Sequence, residues 1–213
     1  MATTKHNSRL ATALLDKAGT TYADEAGITL KNTPAPLFQL LVLALLLSAR
    51  ISADIAVAAA RELFAAGFTT PAKMANAPRS DVIAALGRAH YVRYDESTAT
   101  SLRETGELLE ERYDGDLRKL AGDDPDVADV RRKMQEFKGI GRVGADIFLR
   151  EVQDAWTWAR PYFDKKATES AGRLGLPTDP ERLGEVAGQR AASLAAALVR
   201  VSLDKELRAE FVD

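Results

Sequence analysis

FKGIGRVGADIFLR, residues 137–150, decides how this chain is to be read. Gly139, Gly141 and Gly144 stand at the mouth of an apolar stretch, with Arg142 among them. The spacing nearly fits the glycine pattern of a dinucleotide site, but that site needs a strand before the turn and a βαβ unit around it. The residues in front, DVRRKMQEF (129–137), carry a helical period instead. What remains is a helix, a tight glycine turn and a second helix. Gly139 and Gly141 permit positive φ and let another backbone approach without a Cβ in the way. The second helix opens with N–H groups lacking intrahelical partners and with the positive end of its dipole, a combination suited to phosphate. Arg131, Arg132, Lys133, Lys138 and Arg142 make the approach basic, with Glu136 the one acid between 131 and 142. A glycine C-cap joining two core helices accounts for the same letters.

Outward from the turn the period stays helical. Apolar spacing predicts helices near 8–18, 37–48, 52–66, 80–86, 93–113, 126–137, 142–153, 164–173 and 187–200. Breaks fall at NTPAP (32–36), AGFTTP (66–71), YDGD (113–116), GDDPD (122–126) and GLPTDP (175–180). Asp124 or Asp126 is the expected N-cap of the helix before the turn. The fold class is all-α. PLFQLLVLALLLSA (36–49) is too short to span a membrane, for which about 20 residues are needed, and it reads as a helix buried on nearly all sides.

Composition narrows the chemistry. The 213 residues carry a net charge of −2, with 46% hydrophobic and 28% charged residues, so any basic footprint must be local. Cysteine is absent and the two histidines are His6 and His90. That excludes disulfides, thiolate nucleophiles and cysteine-bound metal or iron–sulfur sites, and leaves carboxylates and lysines to carry polar chemistry. The polar start of the chain reads as no signal peptide, so a cytoplasmic protein without membrane attachment is expected.

FKGIGRVGAD resembles the helix–hairpin–helix of the endonuclease III superfamily of DNA glycosylases (HhH-GPD), which usually reads LPGVGRKTA. Three further segments lie in the family's order. LLLSARIS (45–52) is similar to LLSAQATD, LGRAHYVRYDESTAT (86–100) to IGLYNSKAENI, and PYFDKKA (161–167) places Asp164 where the family has its essential aspartate. The resemblance covers residues 34 to about 173. It implies a two-lobed helical fold with an inter-lobe cleft: one lobe over about 34–125, a hairpin and catalytic segment over about 126–173, and a second lobe completed by 1–33 and 174–213. It also implies a monomer acting on double-stranded DNA with a damaged or mismatched base, associated with the nucleoid if bacterial.

By the same resemblance, Asp164 is the catalytic carboxylate. Breaking an N-glycosidic bond passes through an oxocarbenium-like transition state, and a carboxylate beside the sugar stabilises that charge and orients water. Lys138, Gly139, Ile140, Gly141, Arg142 and Gly144 would hold the DNA backbone. Arg50 stands where relatives place a residue that fills the hole left by the flipped base. Tyr91 and Arg93 stand in the loop that meets the opposite strand. For these three a packed ring or local salt bridge is the competing reading. Main-chain carbonyls of Gln135, Phe137 and Ile140 would hold a monovalent cation. Trp156, Trp158 and Tyr162 are expected in the core rather than as a stacking platform.

The departures matter equally. Val143 occupies the position of the lysine that strand-cutting relatives use, and valine cannot form a Schiff base. The cluster-binding cysteines are missing, so no iron–sulfur cofactor is expected. The family's DTH is DKK here; Lys165 and Lys166 are expected to face phosphate or solvent, with a surrogate amine as the alternative. Three readings follow. They are a monofunctional glycosylase, a silent DNA-binding relative, and an all-α interaction module, which would show no contiguous basic surface around 131–142.

Overall fold

The computed structural model describes residues 2–211, and among these the chain is helical without a β-strand. The helices are α1 (Ala2–Ala18), α2 (Tyr22–Glu25), α3 (Pro34–Leu47), α4 (Ala53–Ala65), α5 (Pro71–Ala75), α6 (Arg79–Arg88) and α7 (Asp95–Tyr113). They continue as α8 (Arg118–Ala121), α9 (Val127–Met134), α10 (Arg142–Val152), α11 (Lys165–Arg173), α12 (Pro180–Ala187), α13 (Ala191–Leu203) and α14 (Lys205–Ala209). A 3₁₀ turn covers Thr157–Ala159. The all-α expectation holds.

The chain forms two compact units, Ala23–Phe148 and Met1–Tyr22 with Leu149–Asp213. The hairpin therefore groups with the residues before it, while Asp164 groups with the terminal helices. The boundary falls inside α10, between Phe148 and Leu149.

In the Ala23–Phe148 unit, α3 is the central rod. Pro34 supplies a preset φ at its start. Leu37, Phe38 and every residue from Leu40 to Leu46 are buried. Each fully buried leucine contributes about 1.5–3 kcal/mol, so sheathing α3 is a main driving term for this unit. Helix α4 packs on α3, α6 on α4, and α7 on α6 and α5. The contact of α5 with α7 needs Gly106, where a Cβ would come within 2.7 Å of the Pro71 carbonyl oxygen. In the other unit α13 is central and packs against α1, α11, α12 and α14. Its core is alanine-rich, with Ala191, Ala192, Leu194, Ala195, Ala196, Ala197 and Leu198 all fully buried.

The short helices α2, α5, α8 and α14 went unforeseen because four or five residues carry too little periodicity. Helix α12 had a legible signal. Asp179 caps it through its carboxylate, accepting from Arg182 N at 3.0 Å, and Pro180 begins it, yet GLPTDP reads as a break. The helix expected over 187–200 instead runs Ala191–Leu203, after a turn at Gly188.

Candidate nucleic-acid interface and buried carboxylate

The hairpin lies between α9 and α10. Asp126, not Asp124, caps α9, accepting from Asp129 N at 2.8 Å. The three glycines serve three different ends. Gly139 takes φ +88°, and a Cβ there would sit 3.3 Å from Leu45 side-chain atoms. Gly141 does not adopt positive φ; a Cβ there would meet nothing within 4 Å, so it leaves an open face. Gly144 is a packing position, where a Cβ would lie 3.3 Å from Ile140 and 3.5 Å from Ser48.

Ser48 joins two segments far apart in sequence. Its hydroxyl oxygen lies 2.7 Å from the Leu45 carbonyl and 3.2 Å from the Gly139 carbonyl, so one proton is shared between α3's last turn and the hairpin. Arg131 of α9 grips Asp146 of α10 through two parallel bonds, 2.5 Å and 2.9 Å long. That bidentate pair, only 28% and 20% exposed, pins the hairpin's arms together.

The N–H groups are not all open. Ile140 N donates to the Phe137 carbonyl at 3.0 Å, and Ala145 N makes the first regular bond, to Gly141. The N–H groups of residues 141–144 are those that a helix start leaves for other acceptors. Ile140 and Phe137 are buried, so neither offers its side chain to a ligand. The Phe137 carbonyl already accepts from Ile140, which leaves it one lone pair for any cation beside the Gln135 and Ile140 carbonyls. Gln135's own side-chain amide turns back to the Arg131 carbonyl at 3.0 Å.

The basic run is largely neutralised. Lys138 pairs with Glu104 of α7 at 2.8 Å, Lys133 with Asp129 at 2.8 Å, and Arg132 also with Asp129. Lys133 first and Arg132 second hold the Asp129 carboxyl below its ordinary value. Arg142 and Arg50 are exposed and have no acid partner among the described residues. The local sequence hid Glu104, which arrives from 34 residues upstream.

Tyr91 is a correction. Its ring is 1% exposed and its hydroxyl is bonded to Thr98 at 3.0 Å, so it packs beneath the loop instead of reaching out. Burial raises its phenol above the ordinary value, with Thr98 opposing. The outward residues of that loop are His90, at φ +59°, Val92, 65% exposed, and Arg93, whose guanidinium lies 5.2 Å from the Tyr94 ring centroid. Val143 is also exposed, at 62%.

In the unit with the chain ends, Asp164 is the N-cap of α11. One carboxylate oxygen accepts from Ala167 N at 2.9 Å and the other from Arg150 Nη1 at 2.5 Å. The two side chains are 7% and 3% exposed. Arg150 sits in the last turn of α10, and sequence reading had not singled it out. An adjacent Arg–Glu pair inside a mostly apolar run, IFLREV, was the available signal. Lys165 is 88% exposed and reaches toward Glu169 at 3.7 Å; Lys166 is exposed too. Neither points at a buried centre by its exposure. Trp156 is buried and stacks on Trp158 at 5.2 Å between centroids, which bears out the core expectation for Trp156.

No family model and no curated protein matches the chain. A solved structure is similar. It is that of a trapped endonuclease III–DNA covalent intermediate, an estranged-adenine complex, with a TM-score of 0.49 and 17% identity over 75% of this chain and 70% of that one. Among the described residues no helix is long and apolar enough to cross a membrane, and no group of three or more His, Cys, Asp or Glu is placed to hold a metal.

Proposed function

We propose that this protein is a monofunctional DNA glycosylase of base excision repair, which binds duplex DNA through its glycine hairpin and hydrolyses the N-glycosidic bond of a flipped, damaged or mispaired base. Asp164 is the catalytic carboxylate in this reading. The observation that carries it is the state of that side chain: an acid held almost fully from solvent, at a helix N-terminus, in the segment following a glycine hairpin. A charge in such a setting interacts far more strongly than one in water. It can stabilise a sugar cation without reorganising as the cation forms. Val143 in place of a lysine supports hydrolysis by water rather than through a covalent imine.

On the DNA side, the open face at Gly141 and the N–H groups beginning α10 would receive a phosphate, with Arg142 beside them. Arg50, Val92 and Arg93 are exposed and free to meet the bases or the opposite strand. The test is a panel of duplexes bearing single lesions or mismatches, read for abasic sites with and without hot alkali. Alkali-dependent breaks at one class of base support the reading; no product from any duplex overturns it.

A second reading has an observation of its own. The pairing of Lys138, Lys133, Arg132 and Arg131 with acids favours a helical module whose turn is purely structural. It predicts no measurable affinity for duplex DNA.

A further inference from the structure

We infer that Arg150 is a positioning residue for the reaction, fixing the Asp164 carboxylate in its reactive orientation; the inference rests on the glycosylase reading. As a helix cap Asp164 is already complete, because Ala167 N satisfies one oxygen at 2.9 Å. A cap needs no buried cation on its other oxygen. Burying a guanidinium carries a desolvation cost of several kcal/mol, and a well-packed apolar side chain is often as good for stability. Arg150 nonetheless lies 3% exposed with Nη1 on the second oxygen. Its Nε has no hydrogen-bond partner and lies 3.7 Å from Glu151 Oε1. The guanidinium thus gives its close hydrogen bond to Asp164 and keeps only a longer ion-pair contact with the buried Glu151.

The backbone around it is fixed to match. The Gln153 amide donates to the carbonyls of Arg150 and Tyr162, both at 3.0 Å, and its oxygen accepts from Tyr162 N at 2.9 Å. One fully buried side chain therefore ties the end of α10 to the chain two residues before Asp164. Arg150 holds the carboxylate, and Gln153 holds the segment that leads to it. Preorganisation of this kind acts on the rate more than on binding, since small misplacements of a reacting group are costly.

The experiment measures single-turnover excision, with lesion-duplex affinity measured separately, for the parent, Arg150→Lys, Asp164→Asn and the double variant. Lysine keeps the charge but loses the planar fork. Arg150→Lys should lower the excision rate by about tenfold or more and leave affinity within about twofold. In the Asp164→Asn background the same change should have no further effect, because Arg150 acts only through the carboxylate. If Arg150→Lys does not fold, Arg150→Gln, which keeps an N–H donor, carries the same comparison. Unchanged rates, or losses that multiply in the double variant, overturn the inference while leaving the glycosylase reading in place. A parent that excises no base from any duplex overturns that reading, and this inference with it.

Discussion

Lys138 of the hairpin and Glu104 of α7 form an ion pair, with Nζ 2.8 Å from Oε2. A phosphate arriving at the turn must compete with Glu104 for that ammonium, whereas Arg142 offers its charge without a rival among the described residues. Arg142→Ala should therefore weaken duplex binding similarly across sequences and reduce the salt slope by about one. Lys138→Ala should have a smaller effect, and Glu104→Gln should tighten binding at low salt. Fluorescence anisotropy over a salt series reads all three. Unchanged binding in the Lys138→Ala/Arg142→Ala double variant removes the DNA reading.

Gly139 and Gly141 should separate under substitution. Alanine at 139 must adopt φ near +88° and place a methyl 3.3 Å from Leu45. A cost of about 1–3 kcal/mol is expected in urea unfolding. Alanine at 141 meets no atom within 4 Å and should leave stability within about 0.5 kcal/mol. Its methyl would stand where a phosphate approaches, so DNA affinity should drop. Equal DNA affinity in Gly141→Ala and parent would show that the open face is not a contact.

Product chemistry follows from Val143. With no amine at that position, the abasic product should stay intact until heated in alkali, and borohydride should trap little covalent adduct. A strong trapped band abolished by Lys165→Ala or Lys166→Ala would instead make one of those exposed lysines the nucleophile.

Asp164→Asn removes the charge but keeps the size. Asparagine has one oxygen for two donors, so either Ala167 N or Arg150 Nη1 loses its acceptor. Excision should fall by about 10² to 10³, or roughly 3–4 kcal/mol in the barrier. Stability should fall as well, by about 2–3 kcal/mol, because a buried arginine is left poorly paired. Rates must accordingly be taken well below the unfolding midpoint. Parent-like turnover in this variant would remove Asp164 as the catalytic residue.

Tyr91 gives a pH signature. Its phenol is raised by burial, so the folded state keeps the proton longer than the unfolded chain does. That contribution is fully present below the unfolded value near 10 and is lost as pH climbs from there through the folded value. Urea midpoints at pH 8 and at about pH 11 should differ less in Tyr91→Phe than in the parent. Equal alkaline losses in the two proteins would mean the ring is more accessible than its packing indicates.

Long helices and the turn were legible because periodicity and glycine spacing are local properties. The buried character of α3 could be read from PLFQLLVLALLL, and the Asp164 cap from its position before a helical run. What escaped was the set of partners brought in from a distance. Glu104 answers Lys138 across 34 residues, and Ser48 reaches Gly139 across 91. Arg150 is closer, 14 positions before Asp164, but the path between them includes a turn that no spacing rule supplies. Tyr91 shows the same limit: an aromatic ring in a polar loop faces inward or outward according to what lies beneath it, here Thr98.

Helix α3 offers no face to water along Leu40–Leu46. Its amides can therefore take up deuterium only when the Ala23–Phe148 unit opens as a whole, while the single-turn helices α2 and α5 exchange through local fraying. The slowest-labelling amides of that unit will lie in α3, and their exchange free energy will equal its global stability. A substitution at the hairpin that leaves α3 protection intact while speeding exchange around residues 137–145 has loosened the turn alone.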